Sequence, residues 1–120
     1  MHISAEQMRT FGVAMRRQFE LDAIALLRKN HPVTTARHAD DALGLFVRHG
    51  IERAKVNRMD AVSDVQRWLA LMLRLGPYFD TSDDAPLTAI RAVLDNVEVY
   101  PPLRLDEAEA LADAMPPAPD

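Results

Sequence analysis

The sequence predicts an all-α fold, a compact bundle of about five helices around a central apolar helix at about residues 61–75. Apolar residues recur at steps of three and four along most of the chain, which is the spacing of one face of a helix. The segment Val65–Asp80 is apolar on nearly every helical face up to Gly76, and a helix of that kind has to be buried. The only alternating run is Val97–Tyr100, and one short strand has nothing with which to pair.

The composition fits one globular domain. The chain has 120 residues, of which 48% are apolar and 27% are charged, and both fractions are typical of globular proteins. We therefore predict a single helical domain over residues 1–115 and a flexible C-terminal tail over residues 116–120. The chain contains no cysteine, which excludes disulfides and thiolate metal sites.

The first helix is predicted to begin at Ser4, because Ser4 and Gln7 have the spacing of a capping box. An apolar stripe then continues for more than five turns. We expect the helix to end at Asn30, since His31 precedes Pro32 and a residue before proline is pushed out of the helical region.

The second helix is predicted to follow a connector at His31–Ala39, which could contain a turn at Thr34–His38. Asp40 or Asp41 begins it, because acidic side chains suit the positive end of a helix. Gly50 lies on its apolar stripe, which predicts close approach of another helix at that point. Asn57 is expected to terminate the helix in a left-handed conformation.

The third helix, the central one, is expected to be capped by Asp60 or Ser63. Its main apolar face is predicted to comprise Val62, Val65, Trp68, Leu69, Met72 and Leu75. Pro86 suits the first turn of a short fourth helix. After the connector Asp95–Pro102, a fifth helix is predicted over about Leu103–Ala114, with Leu105, Ala108, Leu111 and Met115 on one side.

The residues that could carry chemistry are not arranged for a reaction. No two histidines have the i,i+4 spacing of a helical metal clamp, and His38 is interpreted as a solvated histidine near a helix start. The cluster Asp80, Asp83 and Asp84 lacks the glycine and glutamate of a calcium loop, and we interpret it as helix capping. No serine lies in a nucleophile elbow and no glycine loop fits a phosphate. We expect no enzymatic activity, no cofactor and no metal.

The composition argues against nucleic acid and membrane as partners. The sequence pI is about 5.5, whereas a nucleic-acid-binding domain is expected to be strongly basic. No stretch is long and apolar enough to span a bilayer, and the N-terminal sequence does not have the pattern of a signal peptide. We therefore expect a cytoplasmic protein. Residues 1–60 carry ten Lys/Arg against seven Asp/Glu, and residues 61–120 carry four against eleven.

The loop after the central helix supplies the candidate contact residues. Exposed aromatic residues beside a charged rim are common in protein interfaces. The predicted partner-binding residues are Tyr78, Phe79, Asp80, Asp83 and Asp84. An alternative for Phe79 is that its ring folds back over the end of the third helix.

Three motifs in the middle of the chain share a family pattern. They are Gly50-Ile51-x-Arg53-Ala54, Asp64-Val65-x-x-Trp68-Leu69-x-Leu71-Met72 and Leu75-Gly76-Pro77-x-Phe79-Asp80, with Pro86 downstream. The chain from about Ile3 to Leu94 resembles small bacterial helical accessory proteins encoded beside spike-tip and toxin genes of type VI secretion systems. The resemblance implies a cytoplasmic helper of a secreted toxin and implies no reaction.

The sequence thus leads to one expected function and two alternatives. We expect a non-catalytic protein-binding module, an adaptor or chaperone for a type VI secretion effector or spike protein. The first alternative is an immunity protein that neutralises a cognate toxin. The second is a helical DNA-binding regulator. The second helix has a basic flank that suggests it, formed by Arg48, Arg53, Lys55 and Arg58. A partially exposed stripe on the first or fifth helix could instead serve a homodimer.

Overall fold

The structure, a computed structural model, describes residues 5–115 and the side chains of residues 17–85 and 87–115. All regular structure in this part of the chain is helical, as predicted. The helices are α1 (Ala5–Asn30), α2 (Pro32–Thr35), α3 (Asp40–Val56), α4 (Val62–Leu75), α5 (Ala85–Asp95) and α6 (Pro101–Asp113), with a 3₁₀ turn at Phe79–Thr81 between α4 and α5.

The chain divides into two compact units, Met1–Arg48 and His49–Asp120, so the boundary falls within α3. The first unit contains α1, α2 and the first half of α3, and the second unit contains the rest. The single domain predicted over residues 1–115 stays a prediction. The predicted helix cap at Ser4 and the predicted tail at residues 116–120 lie outside the described residues.

The first unit confirms the end of α1 at Asn30 and adds a short helix to the predicted connector after it. A short helix, α2, occupies part of that connector, because Pro32 at its start has the fixed φ that a first helical turn requires. The hydroxyl of Thr35 donates to the carbonyl of His31 at 2.7 Å.

Two arginines tie the helices of the first unit together. Arg28 donates to the backbone carbonyls of Thr35 and His38 and pairs with Asp40 at 2.6 Å, so α1 is linked to the start of α3. Arg48 pairs with Glu20 at 2.5 Å. The hydrogen bond to Glu20 is the main cause of the raised pKa of Arg48, and the charge of that carboxylate adds to it.

The second unit is built around α4, which confirms the predicted central apolar helix. Trp68 and Leu69 are fully buried. Gly50 of α3 lies against the same helix, since a Cβ atom there would collide with Leu69 and would come within 2.8 Å of the Met72 sulfur. The other buried apolar residues of this unit are Ala54, Met59, Val65, Leu71, Met72, Phe79, Ile90, Leu94, Leu105, Ala108 and Ala112.

The face of α4 differs from the predicted one at its ends. Val62 is 53% exposed and Leu75 is half-buried, whereas Leu71, which the predicted main face does not include, is buried. Helices pack against α4 from more than one direction, so the buried surface is wider than one stripe.

Three predicted helix ends are corrected in the second unit. Neither Asp60 nor Ser63 caps α4, because Ala61 holds the cap position and no side chain bonds there. The left-handed residue after α3 is Arg58, with φ of 60°, rather than Asn57. Helix α6 begins at Pro101 instead of Leu103, since both prolines fit a first helical turn.

Over the described residues, no helix has the combination of length and apolar character needed to cross a membrane.

Candidate functional site

The candidate site begins where α4 stops. Gly76 adopts φ of 107°, a conformation that L side chains rarely take, and its amide donates to the carbonyl of Met72 at 2.8 Å. The chain therefore leaves the helix sharply, and Tyr78 and the 3₁₀ turn follow within a few residues.

Phe79 points inward. It is 1% exposed, and its ring centroid lies 5.1 Å from that of Trp68 at a tilt of 46°. The centroid distance lies within the range that aromatic pairs favour. Of the two arrangements that the sequence allowed, the structure has the one in which Phe79 folds back onto the third predicted helix, here α4.

Asp80 is also buried, and its partner comes from α3. One carboxylate oxygen accepts a hydrogen bond from Arg53 Nε at 2.7 Å, and the Asp80 side chain is 3% exposed. The other carboxylate oxygen and the indole nitrogen of Trp68 have no hydrogen-bond partner among the described residues. The buried ion pair fixes the loop to α3, so Phe79 and Asp80 position the loop rather than form its outer surface.

Tyr78 lies between these buried anchors and solvent. It is 66% exposed, and its ring centroid lies 4.8 Å from that of His49. His49 Nε2 is 3.0 Å from the carbonyl oxygen of Pro77. The Tyr78 ring is therefore exposed, and the residues on either side of it in the chain are held in place: Pro77 by His49, and Phe79 and Asp80 by their buried contacts.

Asp83 and Asp84 complete the set as exposed carboxylates. Asp84 holds the cap position of α5, as predicted, and its side chain makes no capping hydrogen bond. Asp83 pairs with Arg91 at 3.3 Å. Of the five predicted contact residues, Tyr78, Asp83 and Asp84 face solvent, and Phe79 and Asp80 do not.

The opposite end of α4 holds a buried charged residue that the apolar pattern of the sequence does not indicate. Arg104 is 1% exposed. Its guanidinium donates to the carbonyls of Asn57, Leu94 and Val99 at 3.0, 2.6 and 2.9 Å. Burial lowers the pKa of Arg104, and the negative charge of Asp64 opposes that shift.

The buried position of Arg104 had a signal in the sequence. Arg104, Ala108 and Ala112 recur at steps of four, and all three are buried. The predicted face of this helix instead ran through Leu105, Ala108, Leu111 and Met115. Leu105 and Ala108 of that predicted face are buried, and Leu111 and Met115 are half-buried. An apolar periodicity alone assigns no arginine to a core, so it does not indicate Arg104.

Arginines of α4 pair with acidic residues of α6. Arg67 bonds Glu109 at 2.6 Å and Asp106 at 2.5 Å, and these bonds, Glu109 first, raise its pKa against the opposing effect of burial. Arg74 pairs with Asp113 at 2.5 Å. Such partly exposed pairs contribute little individually, and they fix the two helices in register.

Within the described part of the chain, no group of three or more histidine, aspartate or glutamate side chains is arranged to hold a metal ion. Comparison of the chain with models of known families, with curated proteins and with solved structures finds no match.

Proposed function

We propose that this protein is a protein-binding module, an adaptor or chaperone for a type VI secretion effector or spike protein, and that the Tyr78 loop contacts the client. The observation that carries the proposal is the exposed Tyr78 ring on a loop anchored by two buried neighbours, Phe79 and Asp80. The type VI context comes from the resemblance of the motifs between Gly50 and Pro86.

A fixed aromatic side chain suits binding for an energetic reason. Ordering a mobile loop on association consumes part of the interaction free energy. The tilted ring contact of Phe79 with Trp68 and the ion pair of Asp80 with Arg53 order this loop in the free protein. Tyrosine is also among the residues that most often dominate the energetics of an interface.

The charge beside the ring indicates the chemistry of the client. Asp83 and Asp84 are exposed, and residues 61–120 carry eleven acidic residues against four basic ones. Complementary charge steers association and selects partners. A client segment that carries Lys or Arg beside an apolar residue fits this surface, and the module would mask that segment until loading.

An immunity protein is the second candidate, and the same acidic excess favours it. A nuclease toxin has a basic cleft that this surface would match. Toxicity separates the two functions. An immunity protein restores growth to cells that express the toxin, whereas a chaperone raises the amount or the secretion of the toxin without blocking its activity.

Co-purification with the products of neighbouring genes tests the proposal, with a matched pair of tyrosine variants. Tyr78→Ala is expected to lose the client, and Tyr100→Ala is expected to retain it. The two tyrosines are equally exposed, at 66% and 67%, and they lie beyond opposite ends of α4. Elution of the wild-type protein alone, or equal loss of the client in both variants, would contradict the proposal.

A further inference from the structure

Exposed apolar side chains of the second unit concentrate at the N-terminal end of α4. Tyr78 is the exception, since it lies beyond the other end of that helix. The five side chains, called the end patch below, are Val56, Val62, Val97, Tyr100 and Leu103, exposed by 63%, 53%, 39%, 67% and 58%. A contiguous exposed apolar patch marks an interaction surface more often than scattered apolar residues do.

Arg104 joins the two connectors from which these residues come. They come from the α3–α4 connector and the α5–α6 connector with their flanking helix ends, which are far apart in the sequence. One guanidinium donates to Asn57 O on the first connector and to Val99 O on the second, at 3.0 and 2.9 Å. The bond from the same guanidinium to Leu94 O fixes the end of α5 as well.

The charges around the end patch have opposite signs on the two connectors. Lys55 and Arg58 flank Val56 at the end of α3, and Glu98 lies between Val97 and Tyr100. All three are exposed and have no ion-pair or side-chain hydrogen-bond partner among the described residues. Asp60, also exposed, reduces the positive charge of the first connector without reversing it.

We propose that the end patch binds a second copy of this chain in a twofold dimer. A twofold axis brings the same patch of each copy together, so that each residue pair occurs twice with the roles exchanged. Lys55 and Arg58 of each copy would then face Glu98 of the other, around a centre of apolar side chains. A partner of one charge sign would satisfy one connector and repel the other, whereas a second copy matches both.

The dimer is independent of the proposed function. The end patch and Tyr78 lie beyond opposite ends of α4, a helix of about 20 Å at 1.5 Å per residue. Client binding through Tyr78 and self-association through the end patch can therefore fail separately.

Sedimentation velocity of the full chain from low to high micromolar concentration tests the surface. Leu103→Asp is expected to weaken the dimer by about tenfold or more, because it places a charge in the apolar centre. The matched control is Leu45→Asp, at a leucine of the first unit that is 64% exposed, and it is expected to dimerise as the wild type does. Circular dichroism verifies that both variants remain folded.

A monomeric wild-type protein over the whole range would overturn the proposal. So would a dimer that Leu103→Asp leaves unchanged or that Leu45→Asp weakens equally.

Charge reversal provides a stricter test of the pairing. Glu98→Lys alone and the double change Lys55→Glu with Arg58→Glu are each expected to weaken self-association. An equimolar mixture of the two variants is expected to form a heterodimer, since each copy then meets opposite charge at both positions. Loss of self-association without recovery in the mixture would show that these residues do not face each other.

Discussion

The connectors at the two ends of α4 are each anchored by an arginine, but the arginine binds a different kind of group at each end. At each end a connector must leave the helix without exposing the core, and at each end an arginine from another helix holds it. Arg53 binds the carboxylate of Asp80 at the C-terminal end, and Arg104 binds backbone carbonyls at the N-terminal end. The Arg53–Asp80 contact depends on two side chains, whereas the Arg104 contacts depend on one side chain and the backbone.

The difference has consequences for the surfaces above each arginine. The Asp80 pair anchors a short loop that displays one aromatic ring, Tyr78, beside exposed carboxylates. The Arg104 bonds join two separate connectors and so display apolar side chains from both. A side chain that satisfies carbonyls at the ends of α3 and α5 also replaces the bonds that a helix end otherwise seeks from water. The N-terminal end should therefore be the more sensitive to loss of its arginine.

The largest effect is expected from Arg104→Met, which keeps much of the side-chain volume. It leaves buried carbonyls without donors and Asp64 without its compensating charge, and should lower the free energy of unfolding by about 3–4 kcal/mol. Urea denaturation followed by circular dichroism measures it. Arg67→Met is the control, with an expected loss below about 1 kcal/mol, since its carboxylate partners are partly exposed. Equal losses of unfolding free energy in the two variants would mean that the buried Arg104 contributes no more to stability than the partly exposed Arg67.

A smaller effect is expected from Asp80→Asn at the other end. The change removes the charge that Arg53 pairs with, and Arg53 is exposed enough to reach water, so the expected loss is about 2 kcal/mol. Fluorescence of Trp68, the only tryptophan, reports unfolding beside the loop. Asp83→Asn in the same segment should change stability by less than about 0.5 kcal/mol. If Asp80→Asn proves as neutral as Asp83→Asn, the buried pair does not anchor the loop.

The smallest effect is expected in the middle of α4, where Gly50 of α3 packs against it. Gly50→Ala should destabilise by about 1 kcal/mol, because crowding against Leu69 and Met72 exceeds the gain in helix propensity. Gly44→Ala lies in the same helix, and an added Cβ meets nothing within 4 Å there. It should stabilise by about 0.5–1 kcal/mol. Thermal unfolding of the two variants tests the opposite signs, and a stabilising Gly50→Ala would refute the tight contact.

Much of the fold was predictable because its signals are local. The end of α1 before His31-Pro32 follows from the restriction that proline places on its predecessor, and the start of α3 at Asp40 follows from the helix dipole. Gly50 on an apolar stripe correctly indicated close helix packing. The short helix α2 was missed, since four residues carry no periodicity.

The candidate site was predictable only in part. The helix stop at Gly76 and the aromatic residues after it located the loop, but the sequence allowed both an exposed and a buried Phe79. The partner of Asp80 lies 27 residues earlier in the chain, and no local spacing indicates such a pair. Arg53 was interpreted as part of a basic flank for the same reason.

Local signals in the sequence establish that the described chain is helical, where several of its helices begin or end, and that the tryptophan-bearing segment is buried. These properties depend on neighbours within a few residues, where dihedral restrictions and periodicity act. Packing of the helices determines which side of the loop faces outward. It also places Arg104, a charged residue, in a core that is otherwise mostly apolar. Those outcomes depend on which carbonyls and carboxylates are brought within hydrogen-bond distance by packing, and that distance is set only when the helices meet.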